Sequence, residues 1–160
     1  MDKEGSWFEK KHFIEDVGLL FEQGGQPRMA GRIVGWLLIS DPPHQSTSDL
    51  AQVLAASKAS ISTMTRLLVQ MGFIERVGVP GHRRDHFRIK AGAWRELMEQ
   101  QMSEITAGHQ LIERGLQLLE GKPAELKQRL KEARELYTFM EAEFPALMER
   151  FERERKKALR

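Results

Sequence analysis

The chain has 160 residues, of which 41% are hydrophobic and 30% charged, enough for a core in one domain or in one small domain with appendages. It has no cysteine, which excludes disulfide frameworks, cysteine-based zinc sites and thiol nucleophiles. The longest apolar run, Trp36 to Ile39, is far shorter than the roughly 20 residues of a membrane span, and no signal-peptide pattern opens the chain. These features predict a cytoplasmic protein without a membrane segment.

The net charge of +2 is unevenly distributed. Residues 1–40 have a net charge of −1 and residues 93–160 a net charge of 0, whereas residues 41–92 have a net charge of +3. A local basic excess indicates a surface that meets a polyanion such as nucleic acid.

Two helices are predicted at the start of the chain, separated by Gly24–Gly25. Pro27 suits the first turn of the second helix, which runs to about Ser40 and ends before Asp41–Pro43. The apolar face of the first helix consists of Phe13, Ile14, Val17, Leu20 and Phe21.

Four residues of the second helix point to its packing. Gly31 and Gly35 lie four apart, where they allow a neighbouring helix to approach closely; the alternative is that they only weaken the helix. Arg28 and Arg32 lie one turn apart. They can contact a phosphate or the acidic groups of the first helix, and the sequence favours neither.

Two short helices joined by a tight turn follow. Ser46 and Asp49 have the spacing of a capping box, which predicts a helix over residues 48–55. Ser57 can cap the next helix, residues 58–71, and Gly72 fits the left-handed residue beyond its end. This pattern is typical of a helix-turn-helix.

The hydrophobic period then changes from helical to alternating. Residues 73–77 and 85–89 are short β-prone stretches, and Gly78–Arg84 between them is rich in turn formers and ends on two arginines. The pattern predicts a β-hairpin with a basic tip. A helix-turn-helix followed by such a hairpin is a winged helix.

From Ala93 onward the sequence predicts two long helices separated by Gly121–Pro123, and Pro145 is expected to kink or interrupt the second. Each has apolar residues at heptad spacing, here called the heptad seam. The two helices can cover these seams against each other, but a second chain is the favoured cover because the region has almost no sheet to pack on. The predicted dimerisation residues are Met98, Met102, Ile105, His109, Ile112, Leu116, Leu119, Leu130, Tyr137 and Met140.

Several stretches resemble the GbsR-like branch of the MarR transcriptional regulators. They are Arg28–Leu38, Ser40–Pro42, Asp49–Ala51, Ser57–Ser62, Gly72–Ile74 and Val79–Asp85. The resemblance covers roughly residues 10–90 and extends beyond residue 95 only in helical character. It implies a homodimeric DNA-binding regulator with a winged-helix fold, held together by helices at both ends of the chain.

The residues themselves predict where DNA would bind. Small side chains early in the helix 58–71, followed by longer donors, let a helix lie close to base edges, and a helix start can hold a phosphate. A hairpin arginine can enter a narrow minor groove. The candidate DNA contacts are Ser46, Thr47, Ser48, Lys58, Ala59, Ser60, Ser62, Thr63, Arg66, His82, Arg83 and Arg84, with capping or a solvated surface as the alternative.

Five side chains, three histidines and two tryptophans, are also considered for other roles. His82 and His86 have a metal-like spacing, but no third ligand is near in the sequence, so no metal and no cofactor are predicted. His109 either sets the pairing register of the heptad seam or lies at its exposed edge. Trp36 and Trp94 are candidate contacts for a small-molecule effector, with a core or interface role as the alternative.

The expected architecture is mainly α, with an N-terminal helix over residues 1–26, a winged helix-turn-helix over 27–92 and a dimerising helical hairpin over 93–160. The expected function is sequence-specific DNA binding by a homodimeric regulator, with repression as the favoured action, on a pseudo-palindromic operator. The alternative is a winged-helix protein-interaction module that does not read DNA. No H-E-x-x-H, G-x-S-x-G or P-loop motif occurs, so an enzyme is not expected.

Overall fold

The computed structural model describes residues 3–158, which are mainly helical with one small sheet. It forms two compact units, Met1–Leu97 and Met98–Arg160. Within residues 3–158, no helix offers an apolar stretch long enough to span a bilayer. The elements in chain order are α1 (Lys3–Gln23), α2 (Arg28–Ile39), β1 (Gln45–Ser46), α3 (Thr47–Val53), α4 (Lys58–Gln70), β2 (Ile74–Val77), β3 (His86–Ile89), α5 (Ala93–Leu118) and α6 (Ala124–Ala158).

The predicted helix-turn-helix and hairpin are confirmed, with ends that differ by one or two residues. Helix α3 begins at Thr47 and stops at Val53 rather than covering residues 48–55, because Ala55 adopts a left-handed φ of 50° that a helix cannot continue through. Pro27 lies at the N-cap of α2 instead of its first turn.

One element was not predicted, and one expectation about a proline was met only in part or not at all. Strand β1 was not predicted, because a stretch of two residues is too short to show an alternating pattern. Pro145 was expected to kink or interrupt the second long helix, and it does not interrupt it, since α6 runs through it from Ala124 to Ala158. A proline removes a single backbone donor, and the long helical runs on both sides keep their own hydrogen bonds.

Both predicted helix caps of the helix-turn-helix are present. The Ser46 hydroxyl accepts from the backbone N–H of Asp49, and the Asp49 carboxylate accepts from the backbone N–H of Ser46, which completes a capping box. The Ser57 hydroxyl accepts from the backbone N–H of Ser60 at 3.1 Å. Because each cap satisfies orphan donors, the starts of α3 and α4 are fixed locally.

The two glycines of α2 make a close helix crossing with α1, as one of the two readings predicted. A Cβ on Gly31 would lie 2.7 Å from the Phe21 Cβ and 2.7 Å from the Val17 carbonyl oxygen. A Cβ on Gly35 would lie 3.2 Å from the Ile14 Cα. The backbones therefore approach at a distance that only glycine permits at position 31.

Both arginines of α2, Arg28 and Arg32, form ion pairs with Glu15 of α1. The Arg28 guanidinium lies 3.0 Å from one carboxylate oxygen of Glu15, and the Arg32 guanidinium lies 2.7 Å from the other. Arg32 also donates to the Leu54 carbonyl at 3.2 Å, which ties α2 to the end of α3. These contacts select the acidic partner over the phosphate.

The sheet is antiparallel with the order β1-β3-β2. Its register pairs Gln45 with Phe87 and Ile74 with Ile89. The core beside it draws on α1, α2, α3, α4, β2 and β3, so the first unit buries a contiguous apolar interior. The buried hydrophobic residues are Ile14, Ala30, Ile33, Val34, Trp36, Leu37, Leu50, Leu54, Ile61, Leu68, Phe73, Ile74, Phe87 and Ala93.

The second unit is a pairing of α5 with α6. The Leu130 side chain lies 3.0 Å from the position of a Cβ on Gly115, and Tyr137 packs directly over Gly108. Small residues on α5 thus receive large side chains from α6. No side chain between Met98 and Ala158 is buried. Large apolar side chains there, among them Leu111, Leu118, Leu136 and Phe139, are more than half exposed.

Candidate nucleic-acid interface

Helix α4 divides cleanly into a core face and a solvent face. Ile61, Thr65 and Leu68 are buried against the first unit. The opposite face carries the candidate DNA-contacting residues, of which Ser60 is half-buried and the others are exposed: Lys58, Ala59, Ser62, Thr63 and Arg66. This face is therefore available to an external partner.

The hydroxyls along this face are only partly committed to the helix. The Thr63 hydroxyl donates to the Ala59 carbonyl at 3.0 Å and keeps its lone pairs as acceptors. Ser62 has no side-chain hydrogen bond within the described chain. The early part of the helix thus offers short polar groups that can both donate and accept.

The three candidate residues at the start of α3 differ in burial and in hydrogen bonding. Ser46 is buried, its hydroxyl donates to the Asp49 carboxylate at 2.6 Å, and its backbone N–H donates to the same carboxylate. Capping therefore uses both of its donors. Thr47 and Ser48 are half-buried and remain at the surface of the helix start.

The wing reaches back to this helix start. The Arg84 guanidinium donates to the Ser48 hydroxyl at 3.1 Å, which joins the hairpin tip to α3. Arg83 beside it is exposed and has no hydrogen bond or ion pair within residues 3–158. His82 is also exposed, and its Nδ1 lies 3.3 Å from the Pro80 carbonyl oxygen.

The basic residues of the middle region fall into two groups by their partners. Three lie beside carboxylates: Arg76 by Asp85, Arg88 by Glu75 and Lys90 by Glu96. Within the described chain, the other four have no ion pair; they are Lys58, Arg66, Arg83 and Arg84. The unneutralised positive charge therefore lies on α4 and the wing tip, the two elements predicted to meet DNA.

Comparisons with known proteins identify the family to which the chain belongs. A family model described as "MarR family" matches residues 25–85, and a model described as "MmpR5-like MarR family transcriptional regulator" matches residues 92–154. The HTH-type transcriptional regulator MmpR5 of Mycobacterium tuberculosis (strain ATCC 25618 / H37Rv) is 39% identical over 141 residues, covering 88% of this chain and 86% of its own. The chain belongs to the MarR family of transcriptional regulators.

A solved structure supports the same assignment along almost the whole chain. A crystal structure of a transcriptional regulator aligns with a TM-score of 0.74 at 37% identity, covering 91% of this chain and 99% of its own. The MarR-family protein described here is a DNA-binding transcriptional regulator with a winged-helix fold. The protein-interaction module considered from the sequence is not favoured.

The two tryptophans considered for an effector lie in different surroundings. In this MarR-family chain, Trp36 is buried, its indole N–H donates to Gln45 Oε1 at 3.1 Å, and its ring meets Trp7 edge-on. Trp94 is 53% exposed and meets the edge of Phe73. The ring contacts give each tryptophan a separate partner.

His109 lies at the contact between α5 and α6. Its Nδ1 donates to the Glu141 carboxylate, which lowers the pKa of Glu141 together with a hydrogen bond from Thr106. Its Nε2 lies 3.3 Å from the Thr138 hydroxyl. The residue therefore fixes how the two helices of this regulator align.

The residues of the predicted dimerisation seam lie mostly at half-buried positions of α5 and α6, with Met98 exposed. Several of them face the partner helix of the same MarR-family chain, as Tyr137 and Leu130 do. The sequence analysis did not predict a second group of apolar side chains on α5, the exposed Leu111 and Leu118. Their spacing of seven residues, one heptad, is the pattern that could have revealed them. Gln45 escaped as well, because its bond to Trp36 depends on the fold.

Proposed function

We propose that the protein binds DNA as a homodimer, with α4 of each protomer in a major groove and the wing beside it. The observation that supports this most directly is that four cations, Lys58, Arg66, Arg83 and Arg84, have no ion pair among residues 3–158, whereas three other basic residues nearby have carboxylate partners. Phosphate oxygens would supply the missing partners, and their release of counterions would make the affinity depend on salt.

Base readout is assigned to the middle of the exposed face of α4. Ser62 and Thr63 present short hydroxyls, and Ala59 leaves room for the helix to approach base edges. Arg66 has the length to reach a guanine edge or a phosphate. These side chains would distinguish sequences, whereas the others set the position of the helix.

Backbone contacts are assigned to the helix starts and the wing. Lys58 and Ser60 lie in the first turn of α4, and Thr47 and Ser48 lie in the first turn of α3. The wing offers His82, Arg83 and Arg84, of which an arginine suits a narrow minor groove. Ser46 is left out of this proposal, because its hydroxyl and backbone N–H serve the cap.

Dimerisation is assigned to the C-terminal region, residues 93–160, with support from the N-terminal helix, while residues 27–92 form the DNA-binding domain. The C-terminal helices expose large apolar side chains and bury none between Met98 and Ala158. A second copy would cover this surface, as obligate homodimers do with interfaces that resemble a divided core. Two-fold symmetry would then match a pseudo-palindromic operator with half-sites about one helical turn apart.

The proposed function also includes a mode of action, a position within the family and a contact for an effector. Repression by occupation of the operator is the mode of action, in the cytoplasm and without a catalytic step. The GbsR-like branch is the proposed position within the family, on the motifs between Arg28 and Asp85. A small-molecule effector would meet Trp94 first, because its ring is exposed whereas the indole of Trp36 is buried and bonded.

The experiment is in vitro selection of DNA from a random library with the purified chain, followed by fluorescence anisotropy across a salt series. We expect enriched sequences with inverted symmetry, and an affinity for them at least about 1,000-fold above that for random DNA. Enrichment without symmetry would contradict the dimeric arrangement. No enrichment at low salt would leave the non-reading interaction module as the better explanation.

A further inference from the structure

Three histidines that are distant in sequence meet between α3 and the wing. The ring of His86 lies 5.5 Å from that of His44 and 5.2 Å from that of His82, centroid to centroid. All three line a cavity of about 450 Å³ that Asp41 and Asp49 also border. Together they gather three imidazoles and two carboxylates at one opening of the first unit.

Hydrogen bonds fix which nitrogen of two rings is free. His86 Nδ1 lies 3.0 Å from the Arg84 carbonyl oxygen, and His82 Nδ1 lies 3.3 Å from the Pro80 carbonyl oxygen. A carbonyl can only accept, so each Nδ1 carries the hydrogen and, in a neutral ring, each Nε2 keeps a lone pair. Within the described chain neither Nε2 has a hydrogen-bond partner. Metal-binding histidines have this arrangement, with the second nitrogen donating to a carbonyl.

The spacing of the rings also suits a shared ion. A Zn–N bond of about 2.1 Å puts a ring centroid ~3.2 Å from the metal, so two imidazoles at a tetrahedral angle have centroids about 5.2 Å apart. The observed separations from His86 are 5.2 and 5.5 Å. Within residues 3–158 no group of three ligands already has the geometry of a formed site. Rotation of the His44 and His82 side chains about the central His86 would therefore accompany binding.

The carboxylate of Asp49 faces the same opening. Its Oδ2 accepts hydrogen bonds from the Ser46 hydroxyl at 2.6 Å and from the Ser46 backbone N–H at 2.9 Å, and both bonds favour the ionised carboxylate. The carboxylate is thus held in its charged form beside the three rings. A divalent cation gains from that charge without competing for the oxygen that caps α3.

We propose that this cavity binds a divalent transition-metal ion of the Zn²⁺ type, with His44, His82 and His86 as imidazole ligands and Asp49 as the facing carboxylate. The ion would join the loop before β1 to both ends of the wing segment that carries Arg83 and Arg84. This consequence depends on the proposed function: a wing held in place next to α3 binds DNA more tightly. The metal site itself depends only on the residues that line the cavity.

The first experiment measures metal binding to the free, tag-free chain by calorimetry with Zn²⁺ and by the absorption of Co²⁺. We expect one ion per chain, and about a tenfold or greater loss of affinity in His44→Gln, His82→Gln and His86→Gln. The matched control is His12→Gln, which removes an exposed histidine of α1 outside the cavity and leaves binding unchanged. His82→Gln is the decisive variant because that side chain is exposed and its loss leaves the core intact.

Equal Zn²⁺ affinity in His82→Gln and His12→Gln, or no binding at millimolar Zn²⁺, would overturn the site. The second experiment compares the affinity for selected DNA with Zn²⁺ and with a chelator at one pH. We expect about tenfold tighter DNA binding with Zn²⁺ in the wild type and no difference in His82→Gln. Metal binding without that difference overturns the coupling and keeps the site. Metal binding by a chain that selects no DNA keeps the site and contradicts the proposed function.

Discussion

The two units of the chain solve the burial of apolar surface in different ways. Met1–Leu97 encloses a core that draws on α1, α2, α3, α4, β2, β3 and the start of α5. Between Met98 and Ala158, by contrast, no side chain is buried, and Leu118 is 78% exposed. The first unit therefore has a core of its own, although it also leaves some large apolar side chains exposed, among them Phe8 and Leu20 of α1. The second unit exposes large apolar side chains of the kind that a folded unit normally buries.

The largest expected effect tests whether a second copy covers the exposed face of α5. In Leu111→Glu combined with Leu118→Glu, two carboxylates would enter an apolar interface, and we expect a loss of about 4 kcal/mol or more in dimerisation, roughly 1,000-fold in Kd. Light scattering after size-exclusion chromatography measures the oligomeric state. Circular dichroism should show unchanged helix content, because both side chains are exposed in the single chain.

The matched control changes Gln110→Glu and Gln117→Glu, which are exposed neighbours on the same helix and bring the same charge. We expect this variant to remain dimeric. If the leucine variant also remained dimeric at micromolar concentration, the exposed face of α5 would be a free surface and the contrast between the units would need another explanation.

The next effect concerns the exterior of the first unit. Arg83→Glu with Arg84→Glu places two negative charges at the wing tip, and we expect about a 100-fold loss of DNA affinity and a salt slope smaller by about 2. Fluorescence anisotropy at several salt concentrations measures both quantities. Lys122→Glu with Arg129→Glu makes the same change in net charge at exposed positions of the second unit and should cost far less. Equal losses in the two variants would refute the wing assignment.

A smaller effect probes the interior of the first unit. In Gly31→Ala the new Cβ would lie 2.7 Å from the Val17 carbonyl oxygen, which is backbone and cannot move aside. We expect the free energy of unfolding to fall by about 1–3 kcal/mol, measured by urea denaturation. Gly78→Ala is the control, since a Cβ there meets nothing within 4 Å. An unchanged midpoint for Gly31→Ala would show that α1 and α2 can separate freely.

The smallest effect lies at the cap of α3. Hydrogen bonds from Ser46, followed by the charges of His86 and His82, lower the pKa of Asp49 below its ordinary 3.8. A lowered pKa in the folded state stabilises the protein above the ordinary value and ceases to do so as the pH falls through the folded value. Asp49→Asn should therefore reduce stability by about 0.5–1 kcal/mol at neutral pH and flatten its decline in acid.

Thermal or urea unfolding between neutral pH and pH 3 measures this difference. Asp16→Asn, an exposed carboxylate of α1, serves as the control and should keep the wild-type pH profile. A variant at position 49 that lost stability equally at all pH values would indicate a packing role instead of the charged cap.

Most of the first unit was predictable because its signals are local. The capping box of Ser46 and Asp49, the cap at Ser57 and the left-handed Gly72 each depend on residues within a few positions of one another. The same holds for the exposed face of α4, which follows from helical spacing once its buried face is known. Strand β1 was missed because it exists only through its pairing with β3.

The order and type of the elements, and the family motifs, could be recognised in the amino-acid sequence because periodicity, caps and turns are properties of neighbouring residues. The packing of the folded chain determines which charges stay unpaired, because Arg28 and Arg32 meet a carboxylate from another helix whereas Arg83 and Arg66 meet none in the described chain. It likewise decided that His44 meets His86, and that Gln45 accepts from Trp36. Contacts of this kind join residues whose separation along the chain carries no periodic signal, so three-dimensional packing alone selects them.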